Sequence, residues 1–176
     1  MSGLHQNLIS VFSEYILRNE KDIQDLITLI NDVPRYTNDV LEYTKKQADK
    51  NTLQFDYDSV TQDIQDVINN KADSSITSAL YNAIDTLNLD EEKTTSYKAQ
   101  VKDAMDTSFF PSYQDMLDTL TSLQYNVQPL QGLSNYKNGK KYYKVLVENA
   151  TSSTDSISTI KENTHCLLYT SDAADD

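Results

Sequence analysis

Apolar residues recur three and four positions apart along nearly the whole chain. That spacing is met by amphipathic α-helices that bury one stripe each. Leu8, Val11, Phe12, Tyr15 and Ile16 fall at i, i+3, i+4, i+7 and i+8, and Ile23, Leu26, Ile27 and Ile30 continue the stripe. Only three glycines and three prolines occur in 176 residues. That is too few for a turn-rich β-sandwich or a glycine-rich phosphate loop. The expected fold class is all-α, an irregular helical bundle.

Punctuation residues divide the pattern. Asn31-Asp32-Val33-Pro34 is expected to end the first helix, since a proline disfavours the α region for the residue before it. Pro34 would then open a second helix, where its missing N–H costs little. That helix carries Tyr36, Val40, Leu41 and Tyr43 and fades near Asp49. Val60, Ile64, Val67 and Ile68 mark a third helix. Asp73 or Ser74 is placed to cap a fourth, with Ile76, Leu80, Ile84 and Leu87 facing inward. Asn88 with Glu91 three residues on reads as a capping-box-like start of a fifth. The fifth runs through Tyr97, Val101 and Met105 to Leu123, with a kink predicted at Phe109-Phe110 by Pro111. Residues 126–139 lose the pattern and read as a long loop. Residues 140–148 form a short helix, and Ser156 can cap a last one bearing Ile157 and Ile160. Helices 8–31 and 90–125 are the longest and are expected to pack together.

Charge and chemistry narrow the function. The formal net charge is −12, which repels phosphate backbones and anionic membrane surfaces. No stretch approaches the ~20 apolar residues that span a bilayer. The segment Cys166-Leu-Leu-Tyr-Thr-Ser-Asp-Ala-Ala-Asp-Asp176 is similar to the translation of a transposase-type sequencing adapter. Residues 166–176 are therefore expected to be a scar outside the fold, and residues 1–165 a helical segment of a larger domain. Without Asp172, Asp175 and Asp176 the acidic total falls from 27 to 24 against 15 Lys and Arg, which leaves −9. The only cysteine, Cys166, goes with that tail, so the remainder offers no disulfide, thiolate site or cysteine nucleophile.

No His-Glu-x-x-His, Gly-x-x-x-x-Gly-Lys, Gly-x-Ser-x-Gly or Gly-x-Gly-x-x-Gly occurs. Two histidines, His5 and His165, cannot build a histidine-rich zinc site. His5 reads first as a surface or packed residue. Asp63 with Asp66, and Glu91 with Glu92, could serve a metal or acid–base chemistry, but equally form a solvated helix face. Asn138-Gly139-Lys140-Lys141 could touch an anion or simply turn into a helix. Tyr142-Tyr143 could donate to an oxyanion in a cleft, or pack with their hydroxyls at the surface.

Three segments in order resemble one family. The first has Ser2-Gly3, Asn7-Leu8, Glu14-Tyr15, Arg18-Asn19-Glu20-Lys21-Asp22-Ile23 and Asp32-Val33-Pro34-Arg35-Tyr36. The second is Pro111-Ser112-Tyr113-Gln114. The third has Gly132-Leu133, Asn138-Gly139-Lys140-Lys141-Tyr142-Tyr143 and Leu146-Val147. They resemble the domain-of-unknown-function 885 family of bacterial proteins. The resemblance implies a mostly helical zinc metallopeptidase of the gluzincin type, often an exported lipoprotein, acting on peptides. It implies a zinc motif with His-Glu well downstream of the matched region, where two histidines and a carboxylate hold the metal and a glutamate activates water. None of those residues has a counterpart here, so no catalytic or metal residue is assigned and the chain is expected to be inactive alone.

By the same resemblance this segment walls one side of a substrate cleft, completed by a C-terminal half of the same chain. Gly139, Tyr142 and Tyr143 are the substrate-cleft candidates, because irregular loops held by rigid helices commonly carry binding residues. His5 joins them, although relatives are expected to carry glutamine there. The rival reading is a non-catalytic extracellular helical module that binds a ligand or partner. Acidic amphipathic helices by themselves point to that rival.

Overall fold

The computed structural model describes residues 3–172, with side chains over residues 3–164. Among the described residues there are helices and turns and no strand. The chain divides into two compact units, Met1–Pro129 and Leu130–Asp176.

The first unit holds α1 (Leu4–Ser13), α2 (Glu20–Asp49), α3 (Tyr57–Asn69), α4 (Ser75–Asp85), α5 (Glu91–Ala104) and α6 (Phe110–Ser122). A π-helical turn, Met105–Phe109, joins α5 to α6. The central α2 lies against α5, the π-turn and α6; α3 lies against α6, and α4 against α1 and α5. The expected pairing of the two long helical stretches is therefore present, through α2 and the α5–α6 run.

The stripe expected as one helix from Leu8 to Ile30 is two helices, broken at residues 14–19. Asn19 makes the break. Its side chain accepts from Lys21 N at 2.9 Å and Asp22 N at 3.2 Å, capping α2. Asp22, three residues on, turns back and accepts from Arg18 N at 2.9 Å and Arg18 Nε at 3.0 Å. This is the reciprocal logic of a capping box. The Arg18 guanidinium and backbone N–H hold the Asp22 carboxyl below its usual pKa.

Pro34 does not break the chain. It sits inside α2, and Val33 before it is helical and buried. A proline in a helix interior costs about 3 kcal/mol. Ile23, Leu26, Ile30, Val33 and Leu41 are all buried on both sides of it, and each apolar side chain contributes about 1.5–3 kcal/mol on burial. Continuity of the buried stripe outweighs the lost hydrogen bond.

The other caps follow the sequence more closely. Ser74 caps α4 and accepts from Thr77 N at 3.2 Å. The start of α5 lies two residues later than expected: Asp90, not Asn88, accepts from Lys93 N at 2.8 Å. Asn88 instead adopts φ 51° in the turn that leaves α4, a left-handed conformation that asparagine tolerates. Pro111 falls in the first turn of α6, and the kink expected near it is the π-turn, where Phe110 N–H donates to Met105 O. That widening has a use. Val101, Met105, Phe109 and Tyr113 are four apart and all fully buried. Four-residue steps overshoot an ideal α-helical turn by about 40° each, and the wider turn brings the stripe back toward α2.

The second unit holds a 3-10 turn at Leu133–Asn135, α7 (Gly139–Thr151) and α8 (Ile157–Asp172). Ser156 Oγ accepts from Thr159 N at 3.1 Å at the start of α8, as its sequence position predicts. The side chains of the tail expected to be a scar lie outside the described residues.

Candidate functional site

His5 is almost fully buried on the first turn of α1. Its Nε2 donates to Asp63 Oδ2 on α3 at 3.3 Å, and Gln6 Nε2 donates to the same oxygen at 3.0 Å. A Cβ at position 3 would lie 2.7 Å from His5 Cε1 and 2.8 Å from Nδ1, so Gly3 is what lets the ring fold back here. From below, the Tyr113 hydroxyl donates to the His5 backbone carbonyl. Tyr113 is fully buried, and burial pushes its phenol above the ordinary value, so it serves as a donor.

Residues far apart in sequence thus converge: Gly3 and His5 from the front, Asp63 from α3, Tyr113 from α6. Beside them lies a cavity of about 210 Å³, lined largely by apolar side chains including Leu41, Phe55, Val60, Ile64, Met116 and Leu120, with His5 among them. A mostly apolar cavity with a polar residue in its wall is the usual form of a small-ligand or side-chain pocket. The joint also makes a stability prediction. Tyr113→Phe removes the buried hydrogen bond to the His5 carbonyl and lowers stability by about 0.5–1.5 kcal/mol. Urea titration measures this; an unchanged midpoint would contradict the contact.

A second cavity, about 470 Å³, lies beside the π-turn. Lys71, Ser74, Thr77, Ser78 and Tyr81 line one side, and Lys102 and Asp106 the other. Lys102 Nζ and Asp106 Oδ2 are paired at 2.5 Å. These residues form no motif in the chain; the packing of α4 on α5 brings the two sides together.

The remaining candidates stand in the second unit. Gly139 opens α7 and is buried. Its N–H donates to Tyr136 O at 2.9 Å, and its Cα faces the Leu133 carbonyl so closely that a Cβ would fall 1.4 Å from that oxygen. Tyr142 and Tyr143 follow on the same helix, 55 % and 48 % exposed, enough surface to meet a ligand. His5 belongs to the first unit, so the structure gathers three of the four candidates on one helix. Asp63 and Asp66 do not act as a pair: Asp63 takes His5 and Gln6, while Asp66 Oδ1 accepts from Gln62 Nε2 at 2.8 Å.

The segments that carried the family resemblance are largely joints. Arg18, Asn19 and Asp22 cap α2, and Arg35 ties Asp32 and Asp39 along it, with Nε at 2.8 Å from Asp32 Oδ1 and Nη1 at 3.2 Å from Asp39 Oδ2. Ser112 Oγ donates to Ser108 O at 2.7 Å, and Ser108 Oγ donates to Asn31 Oδ1 at 3.0 Å. Among the described residues, no group of three or more His, Cys, Asp or Glu is placed to hold a metal ion, and no helix is long and apolar enough to cross a membrane.

No curated protein and no solved structure matches the chain. The sequence profile described as "Bacterial protein of unknown function (DUF885)" matches residues 1–164. With 164 of its 176 residues matched, the chain belongs to this bacterial family of unknown function, DUF885.

Proposed function

We propose that the chain contributes to the wall of a peptide-binding cleft in an exported zinc-metallopeptidase-type protein and is not catalytic by itself. The observation that carries this reading is the DUF885 match over residues 1–164, joined to the gluzincin resemblance of the three segments. The described side chains do not fit zinc. His5 is engaged with Asp63, and no third ligand stands with them. Zinc and its activating glutamate belong, on this reading, to residues outside the 176. What this chain supplies is binding surface: the apolar cavity beside His5 for a peptide side chain, and Tyr142 and Tyr143 as exposed contacts.

Two experiments test it. Reading the source DNA past the codon for Asn163 is expected to reveal an in-frame His-Glu zinc motif; a frame that closes without one overturns the peptidase reading. The purified chain with added zinc is expected to leave fluorogenic peptides uncut; turnover would overturn the non-catalytic role. The rival, a helical ligand-binding module, draws on the continuous buried core of the first unit. It requires the chain to unfold in one cooperative transition and to remain monodisperse, whereas half of an enzyme exposes apolar surface and aggregates.

A further inference from the structure

The chain holds a single Asn-Gly pair, Asn138-Gly139. In a flexible chain such a pair readily loses ammonia from the asparagine. Glycine has no Cβ to obstruct its backbone nitrogen as it approaches the asparagine carboxamide. In the fold, the two reacting partners stand in opposite states. The Asn138 side chain is exposed and makes no capping hydrogen bond, so its carboxamide is open to attack. The peptide group that would attack is held at both ends. Its carbonyl, Asn138 O, accepts from Tyr142 N at 3.0 Å, and its N–H, on Gly139, donates to Tyr136 O at 2.9 Å. Gly139 is also buried, with the Leu133 carbonyl against its Cα. Ring closure needs the Gly139 nitrogen swung round to the side of Asn138 Cβ. At an Asn138 ψ of 12° it nearly eclipses the Asn138 backbone nitrogen instead. Turning it toward Cβ breaks both backbone hydrogen bonds.

We propose that Asn138 is a site of covalent self-modification, shut while the first turn of α7 is formed and open when that turn separates. On opening, the Gly139 N–H gives its proton to hydroxide and the nitrogen attacks Asn138 Cγ. The N–Cγ bond forms, the bond from Cγ to the carboxamide nitrogen breaks, and ammonia leaves. Water then opens the succinimide at either carbonyl to give aspartate or isoaspartate. The net change is hydrolysis of one amide, with no oxidation or reduction. It sets a new carboxylate, or a backbone lengthened by a methylene, between Lys137 and Lys140 at the turn that positions Tyr142 and Tyr143. The inference does not rest on the peptidase reading and survives its failure.

The test incubates the complete chain in mildly alkaline buffer, with and without concentrated urea. Peptide mapping by mass spectrometry and chromatography then separates asparagine, aspartate and isoaspartate at position 138. The folded chain is expected to lose Asn138 at least about tenfold more slowly than the unfolded chain, because only the locally opened fraction reacts. Tyr142→Pro removes the N–H that holds Asn138 O. Without urea it is expected to speed the loss by about fivefold or more, the value of one backbone hydrogen bond, and in urea to leave the rate unchanged. Equal rates with and without urea, an unchanged rate in Tyr142→Pro, or no aspartate or isoaspartate at position 138 even in urea would each overturn the proposal.

Discussion

Phe109→Ala is expected to lower the stability of the first unit by about 3–5 kcal/mol, the range for emptying a buried aromatic site. Phe109 is fully buried at the end of the π-turn. Its ring meets Phe12 edge-on at 5.7 Å, Phe110 edge-on at 5.5 Å and Tyr113 at 4.9 Å. These contacts join α1 to the α5–α6 run in the same core that holds the apolar stripe of α2. Domains of this kind have about 5–15 kcal/mol in total, so the variant is expected to be substantially unfolded at moderate urea. Chemical denaturation followed by circular dichroism gives the value. Phe55, outside the buried cluster, is the control, and a loss at Phe109 no larger than that of Phe55→Ala would show the aromatic cluster is not the centre of the core.

Gly139→Ala is expected to destabilise the start of α7, against what helix propensity says. Glycine to alanine inside a helix ordinarily gains about 1 kcal/mol. Here the new Cβ would stand 1.4 Å from Leu133 O and 2.5 Å from its carbonyl carbon. Both are backbone atoms, so neither can rotate away as a side chain end would. The Leu133–Asn135 turn must separate from the helix, losing the bond from Gly139 N to Tyr136 O. A loss of about 1–3 kcal/mol follows from overpacking of this kind. Amide hydrogen exchange over residues 136–143 reads it directly. Faster exchange is the expected result, and slower exchange would mean that propensity, not the close approach, governs this glycine. The variant also bears on Tyr142 and Tyr143, whose positions depend on where the first turn of α7 begins.

Much of the fold was legible because its causes are local. The three-and-four spacing marked α3 and α4, the hydroxyl of Ser74 announced a cap, and Pro111 announced a change of helical winding. Misreadings occurred where two local signals competed. Asn19 with Asp22 is a capping pair, yet the apolar stripe on both sides suggested an unbroken helix. At Pro34 the local rule said stop, and the buried stripe of α2 overruled it. Asn88 offered a plausible cap, but its backbone was needed in the left-handed turn after α4, so Asp90 took the role. Of the candidate site, Gly139, Tyr142 and Tyr143 stood adjacent in sequence and were read together. The surroundings of His5 were not, because Gly3, Asp63 and Tyr113 approach it only after α1, α3 and α6 have packed.

The sequence by itself determined the helical class, most helix positions, the acidic surface and the lack of a zinc motif, because each depends on residue type and near-neighbour spacing. Tertiary structure alone decided that Pro34 is helical, that α5 widens into a π-turn, and that Tyr113 supports His5. Those outcomes depend on which buried stripes meet. Burying a whole stripe is worth several kcal/mol, more than the cost of a single local preference, so local signals yield wherever the two conflict.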